Sequence, residues 1–131
     1  MKKKIAIYGF GGFGREVKNL IEDINEYEFI GFFDDNSNLE KIHTKYNILG
    51  GIKELNNWEE DIAIAVAIGD PTTKKDIVEK ITNSKVQYPN VIHTSVVGNP
   101  KYYTLGKGCI ICANNIITVD VSIGDFLILN L

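Results

Sequence analysis

The chain has 131 residues, of which 44% are hydrophobic and 24% charged, and its formal net charge is −3. This length suits one domain, or one domain and part of another. The acidic balance without a basic stripe argues against nucleic acid as the main partner, and no apolar run is long enough to span a membrane. The lysines at 2–4 precede an apolar stretch too short for a signal peptide, so we expect a cytoplasmic protein.

The first predicted unit is a strand, a glycine loop and a helix. Residues 3–8 read as a buried strand, residues 9–15 as a loop, and residues 16–25 as a helix. The apolar residues of that helix recur at helical spacing: Val17, Leu20, Ile21 and Ile24. The unit is typical of the first turn of a nucleotide-binding domain.

Three glycines of this loop stand in G-x-G-x-x-G register, at Gly9, Gly11 and Gly14. The first permits a tight turn, the second lets backbone approach a ligand, and the third lets the helix pack on the strand. Free N–H groups at the start of the helix would suit a phosphate. The loop therefore predicts a phosphate-binding turn.

An acidic pair follows the second predicted strand, at residues 29–33. Asp34 lies twenty positions after Gly14, where dinucleotide-binding domains place a carboxylate, and Asp35 follows it. The carboxylate could accept ribose hydroxyls, or contact a base or a sugar. The alternative is a solvated turn at the end of a strand.

The remaining α/β pattern runs to residue 93. Its elements are a strand at 48–51, a brief helix at 52–58, a central strand at 62–68, a helix at 74–82 capped by Thr72 or Thr73, and a last strand from Val86 to His93. Strands that alternate with helices predict a parallel sheet. The loops at 9–14, 34–36 and 69–71 leave the carboxyl ends of its strands, so we expect them to converge on one crevice.

Cys109 and Cys112 have C-x-x-C spacing within a β-branched stretch. Residues three apart on a strand point to opposite faces, so we interpret them as two unrelated thiols. A zinc site would need four ligands, and only His43 and His93 remain to help. We expect no metal site.

A six-residue apolar period begins after His93. It comprises Leu105, Ile111, Ile117, Ile123 and Leu129. This period fits neither a helix nor a simple strand, and it is typical of a β-helix whose aliphatic residues point into a triangular core. The segment 97–105 is about two residues too long for a regular hexad, which predicts a bulge at 101–103.

Five features in this order resemble bacterial sugar O-/N-acyltransferases of the sialic acid O-acetyltransferase and bacillosamine N-acetyltransferase group. They are Tyr8-Gly9-Phe10-Gly11-Gly12-Phe13-Gly14-Arg15-Glu16-Val17, Phe33-Asp34-Asp35, Ala67-Ile68-Gly69-Asp70, Ile92-His93 and the hexads. The resemblance implies a Rossmann-like nucleotide-sugar-binding domain at 1–92 and the incomplete start of a left-handed β-helix at 93–131. It further implies acetyl-CoA as co-substrate, a nucleotide-linked sugar or sialic acid as acceptor, a trimer, and a place in polysaccharide biosynthesis.

The resemblance also implies a substrate-binding set. Its members are Gly9, Gly11, Gly12, Phe13, Gly14, Arg15, Asp34, Asp35, Gly69 and Asp70. Within it, Gly11 to Phe13 would line the phosphates, the two aspartates would face the uracil, ribose or sugar, and Gly69 and Asp70 would close the pocket. The family often has a polar residue where Phe13 stands.

No catalytic residue is assigned to this chain. In the family the general base is a histidine just after the position of Asn130, so we expect residues 1–131 to be a substrate-binding portion that is inactive alone. We interpret His93 as a satisfied structural group and His43 as solvated. Two alternatives stay open: an NAD(P)-binding domain of an oxidoreductase, and a non-catalytic nucleotide-sugar-binding module. The apolar segment 126–131 predicts association between chains.

Overall fold

The computed structural model describes residues 1–36, 38 and 45–131, so the prediction for His43 lies outside the described residues. In chain order the strands are β1 Lys3–Tyr8, β2 Tyr27–Phe33, β3 Ile48–Gly50, β4 Ile62–Val66, β5 Val86–Gln87, β6 Val91–Ile92, β7 Tyr103–Leu105, β8 Ile110–Ile111, β9 Val121–Ile123 and β10 Ile128–Leu129. The helices are α1 Gly12–Ile24, α2 Ile52–Asn56 and α3 Pro71–Lys80. No helix in the described part of the chain is long and apolar enough to cross a membrane.

The first five strands form one parallel sheet in the order β3-β2-β1-β4-β5. This order is that of a Rossmann-type sheet and confirms the predicted α/β class. The central strand β4 is buried along its whole length, as its unbroken apolar sequence predicts. It ends two residues earlier than predicted, and β2 begins two residues earlier, at Tyr27.

Two helices begin earlier than the sequence predicts. Helix α1 starts at Gly12 and not at residue 16, and α3 starts at Pro71 and not at residue 74. The predicted cap at Thr72 or Thr73 is wrong, because Asp70 is the N-cap and accepts a hydrogen bond from the Thr73 amide. Turn-forming residues are tolerated in a first helical turn, since its N–H groups lack intrahelical partners.

The sheet separates two apolar layers because alternate side chains of each strand face opposite sides. Ile5 and Ile7 of β1 face the layer beneath α1, whereas Ala6 and Tyr8 face the layer beneath α2 and α3. The first layer continues into Val91 and Ile110 of the C-terminal strands. The α1 helix is therefore packed between the sheet and the C-terminal segment.

The C-terminal strands stack as parallel coils with three faces. One face is β6-β8-β10, the second is β7-β9, and the third is an isolated bridge between Val97 and Ile116. The predicted single strand from Val86 to His93 is wrong, because β5 pairs in the α/β sheet and β6 pairs with β8. Proline at position 89 separates the two strands. The domain division at 92 and 93 stays a prediction.

The interior of the coils carries the hexad residues. All five hexad aliphatics belong to one apolar cluster, in which Ile111, Ile117 and Ile123 are buried. Val91 pairs with Ile110 and Ile110 pairs with Ile128, so successive repeats are 19 and 18 residues long. The longer first coil accommodates a short 3-10 helix, Pro100–Tyr102, at the place where the hexad pattern predicts a bulge. The first coil is therefore one residue longer than the second, and the predicted excess of two residues is wrong.

The two cysteines are free and lie on opposite faces, as predicted. Cys109 packs inside the coils, whereas Cys112 packs on the layer beneath α1. Among the described residues, no three His, Cys, Asp or Glu side chains are grouped so that they could hold a metal ion.

Candidate functional site

Backbone hydrogen bonds join the carboxyl ends of the first four strands. The Gly9 amide donates to the Phe33 carbonyl (2.8 Å), the Asp34 amide to Gly50 (2.7 Å), and the Ala67 amide to Tyr8 (2.9 Å). These bonds place the glycine loop between the other two predicted loops. The three predicted loops thus lie along one edge of the sheet.

Two glycines of the predicted site are required by the fold. Gly9 has φ +110°, and a Cβ there would lie 2.8 Å from the Ala67 carbonyl oxygen. A Cβ at Gly14 would lie 2.0 Å from the Gly9 carbonyl oxygen, so α1 can pack on the loop only if this position lacks a side chain. Both residues are buried. Each allows a close backbone approach that the conformation of the loop requires.

Three other glycines of the site are not required by the fold. Gly11, Gly12 and Gly69 are exposed, have φ values outside the left-handed region, and have no atom within 4 Å of an added Cβ. Neither backbone strain nor a neighbouring atom of the described residues explains why these positions are glycine. Absent side chains leave space for something outside the chain to approach the backbone closely.

Two helix N-termini face the same cleft, and only one of them is capped by a side chain. Helix α1 has Gly11 as its N-cap, and no side chain caps it. Helix α3 is capped by Asp70, whose carboxylate accepts from the Thr73 amide (2.8 Å) and hydroxyl (2.7 Å). These two hydrogen bonds hold the pKa of Asp70 below its usual value. The free N–H groups and positive dipole end of α1 remain open to an anion.

The cleft before these N-termini has a volume of about 640 Å³. One wall is formed by the α/β residues Gly12, Phe13, Glu16, Gly69, Pro71 and Lys74, and the other by the last coil at 127–131. Lys74 Nζ donates to the Phe126 carbonyl and so joins the two walls. Burial lowers the pKa of this lysine.

Glu16 and Lys74 line this cleft, although neither belongs to the site predicted from the sequence. Both are charged residues on helix surfaces, which is usually a solvated position. Their place one turn into α1 and α3 could have identified them, had the helices been predicted to start at Gly12 and Pro71.

The acidic pair lines a separate pocket of about 410 Å³, together with residues of β3 and α2. Asp34 accepts from the Phe10 amide and the Asn36 amide, both at 2.9 Å. Asp35 accepts from the Ile52 amide (3.0 Å) and from the Tyr8 hydroxyl. The three loops therefore do not share one cleft among the described residues: two line the larger cleft and the third lines this pocket.

Arg15 and His93 line a third cavity, of about 420 Å³, between α1 and the coils; it shares Gly12 and Glu16 with the larger cleft. The Arg15 guanidinium lies over the Phe10 ring, 5.5 Å from its centroid. His93 Nδ1 lies 2.8 Å from the Ser95 hydroxyl, and Nε2 lies 3.3 Å from Asp23 Oδ2. Both ring nitrogens of His93 are engaged, which agrees with its interpretation as a satisfied structural histidine.

Known proteins resemble this chain in sequence over most of its length. A sequence profile described as the PglD N-terminal domain matches residues 4–81, which is more than half of the chain. A UDP-N-acetylbacillosamine N-acetyltransferase of Bacillus subtilis is 26% identical over 122 residues, covering 85% of this chain and 52% of that protein.

Solved structures share the fold. The acetyltransferase domain of PglB from Neisseria gonorrhoeae, in complex with acetyl coenzyme A, has a TM-score of 0.82 and 24% identity, with 99% of this chain and 62% of that chain covered. A perosamine N-acetyltransferase from Caulobacter crescentus, in complex with CoA and GDP-perosamine, has a TM-score of 0.80 and 24% identity, with 97% and 60% covered. The chain thus spans between about half and two thirds of the length of these relatives.

Proposed function

Because the chain belongs to the PglD N-terminal domain family, we propose that it is the substrate-binding portion of a sugar acetyltransferase. The reaction moves the acetyl group of acetyl-CoA to an amine or hydroxyl of a nucleotide-linked sugar. The named activities of the similar proteins, all sugar N-acetyltransferases or acetyltransferase domains, support this proposal and favour N-acylation.

The observation that carries the proposal is the open N-terminus of α1. It has no capping side chain, and the two exposed glycines at its start, Gly11 and Gly12, serve no packing need. A nucleotide diphosphate would accept hydrogen bonds from the free amides of this first turn. Phe13, which has no polar side-chain atom, would take part through its backbone N–H alone.

We propose roles around that anion for the other predicted residues as follows. Asp34 and Asp35 line the pocket on one side, which suits the donors of a ribose or a base. The sugar would extend into the 640 Å³ cleft past Gly69. The Asp70 carboxylate caps α3, so we propose no direct contact between it and the sugar. Asp70 would instead hold the start of α3 in place beside the cleft. Arg15 lies outside this path, and we assign it no contact.

The chemistry requires a base that takes a proton from the acceptor as it attacks the thioester carbonyl. We assign that base to none of the described residues, since His93 is engaged with Ser95 and Asp23. Residues 1–131 alone are therefore expected to bind the substrate without transferring acetyl groups at an enzymatic rate. Loss of a general base typically removes about a hundredfold to ten-thousandfold of the rate.

The remaining implications of the resemblance are part of the same proposal. The coils would be left-handed, the assembly a trimer, the location the cytoplasm, and the pathway polysaccharide biosynthesis. One coil face supports association, because its stacked residues Val97 and Ile116 are 61% and 71% exposed. Light scattering over a concentration series should show species larger than a monomer.

The decisive experiment is calorimetry with UDP, GDP and NADH on residues 1–131. The proposal expects saturable binding of one of the two nucleotide diphosphates and weaker binding of NADH. Tighter binding of NADH would favour the oxidoreductase alternative. Nucleotide binding by a longer chain that continues into further coils, but without acetyl transfer, would favour the non-catalytic module.

A further inference from the structure

Tyr8 carries a hydroxyl group into an otherwise apolar layer of the core. It is the last residue of β1, it is 2% exposed, and its neighbours are the aliphatic and aromatic residues beneath α2 and α3. A phenylalanine would fill the same apolar space, so packing alone does not require the oxygen. The hydroxyl donates to Asp35 Oδ2, which lies at the surface.

Asp35 is also held from a second side. Its Oδ1 accepts from the Ile52 amide at 3.0 Å, and a Cβ at Gly51 would lie 2.2 Å from the same oxygen. The carboxylate is thus fixed between the end of β1 and the start of α2. Each carboxylate oxygen can accept two hydrogen bonds, so the two bonds that Asp35 accepts from described residues leave capacity for two more donors.

Asp34 has different partners, although it is the next residue in the chain. Its Oδ2 accepts from the Phe10 amide in the glycine loop, and its Oδ1 accepts from Asn36 two residues on. Asp34 therefore links the glycine loop to the end of β2. Asp35 links the end of β1 to the start of α2. The two carboxylates therefore hold different parts of the chain, although both line the same pocket.

We propose that Tyr8 is a positioning residue that aims the Asp35 carboxylate at the nucleoside end of the ligand, while Asp34 positions the glycine loop at the diphosphate end. The inference rests on the proposed function, because it assumes a nucleotide diphosphate at α1. The hydroxyl holds the carboxylate in one orientation in the free protein, so donors of the ribose or base meet a preorganised acceptor. Burial and the neighbouring Asp35 carboxylate both raise the pKa of Tyr8, so the hydroxyl keeps its proton as a donor.

The test compares UDP with pyrophosphate, which lacks the nucleoside. Calorimetry would be run on the unaltered chain and on Tyr8→Phe, Asp34→Ala and Tyr27→Phe. We expect Tyr8→Phe to weaken UDP binding about tenfold, because the Asp35 carboxylate is no longer held ready for the nucleoside, and to leave pyrophosphate binding unchanged. Asp34→Ala should weaken both ligands. Tyr27→Phe is the matched control, since it removes a half-buried hydroxyl at the opposite end of the sheet and should weaken neither.

Equal losses of UDP and pyrophosphate in Tyr8→Phe would overturn the inference, as would unchanged UDP binding. If Tyr8→Phe fails to fold, Asp35→Asn at the surface should give the same split between the two ligands, and its absence there would overturn the inference too. An unaltered chain that binds pyrophosphate no more weakly than UDP overturns this inference but leaves the anion site in place. A chain that binds neither ligand overturns the proposed function itself.

Discussion

Helices α1 and α3 both begin at the same cleft, and they differ in how their first N–H groups are satisfied. Gly12 and Pro71, their first residues, line that cleft together. The Asp70 side chain caps α3, whereas α1 begins with glycines and no capping side chain. The fold can therefore cap a helix in this position, and at α1 it leaves the amides for another partner. Substitutions at the starts of the two helices should therefore have different consequences.

The largest effect is expected at Gly14, the glycine that lets α1 lie against the loop. Alanine would place a Cβ 2.0 Å from the Gly9 carbonyl oxygen. The backbone fixes the position of that Cβ, and the carbonyl oxygen is itself a backbone atom, so neither can turn aside. We expect Gly14→Ala to lower the free energy of unfolding by about 3 kcal/mol, measured by urea denaturation. Gly12→Ala, which meets no atom within 4 Å, is the matched control. Comparable stabilities of the two variants would show that α1 is not held by this contact.

Gly11→Val should separate ligand binding from folding. Gly11 has φ −99°, which valine adopts without strain, and no atom of the described residues lies within 4 Å of an added Cβ. We expect the stability to change by less than about 1 kcal/mol. The affinity for UDP should fall about tenfold to a hundredfold, because the valine blocks the approach of phosphate to the first turn of α1. Calorimetry that finds the affinity unchanged would move the phosphate site away from this loop.

Asp70→Ala should have the smallest effect, a modest loss of thermal stability from uncapping α3. The folded-state pKa of Asp70 is lowered by its bonds to Thr73, so its contribution is present above the pKa of the unfolded chain. That contribution is lost as the pH falls through the lower folded-state value. Melting curves of both proteins should therefore differ near neutral pH and converge on acidification. A constant difference across this range would show that the carboxylate charge is not what caps α3.

The sequence predicted the elements well and their starts poorly, for one physical reason. A first helical turn needs no helix-forming residues, since its N–H groups have no partners within the helix. Glycine at 12 and proline at 71 therefore read as loop, yet each is helical. Because the helix starts were predicted too late, Glu16 and Lys74 were left out of the predicted site. Their distance from the cleft depends on where the helices begin.

Unbroken apolar runs, helical spacing and the six-residue period predicted the buried residues because burial is a repeated requirement. The hexad aliphatics form one cluster, as spacing alone indicates. The roles of Asp34 and Asp35 could not be read in this way, because their partners, the Phe10 amide and the Tyr8 hydroxyl, are more than twenty residues distant. A polar side chain at a strand end looks the same in sequence whether it meets solvent, ligand or backbone.

The opposite placement of the two cysteines makes them natural reporters of local opening. Cys109, fully buried, contacts the Gly124 carbonyl inside the coils, whereas Cys112 lies 7% exposed against the layer of α1. A thiol reagent would reach Cys112 when α1 lifts from the coils, and Cys109 only when the coils themselves separate. The rates of alkylation of the two thiols would thus time two different motions within one unlabelled chain.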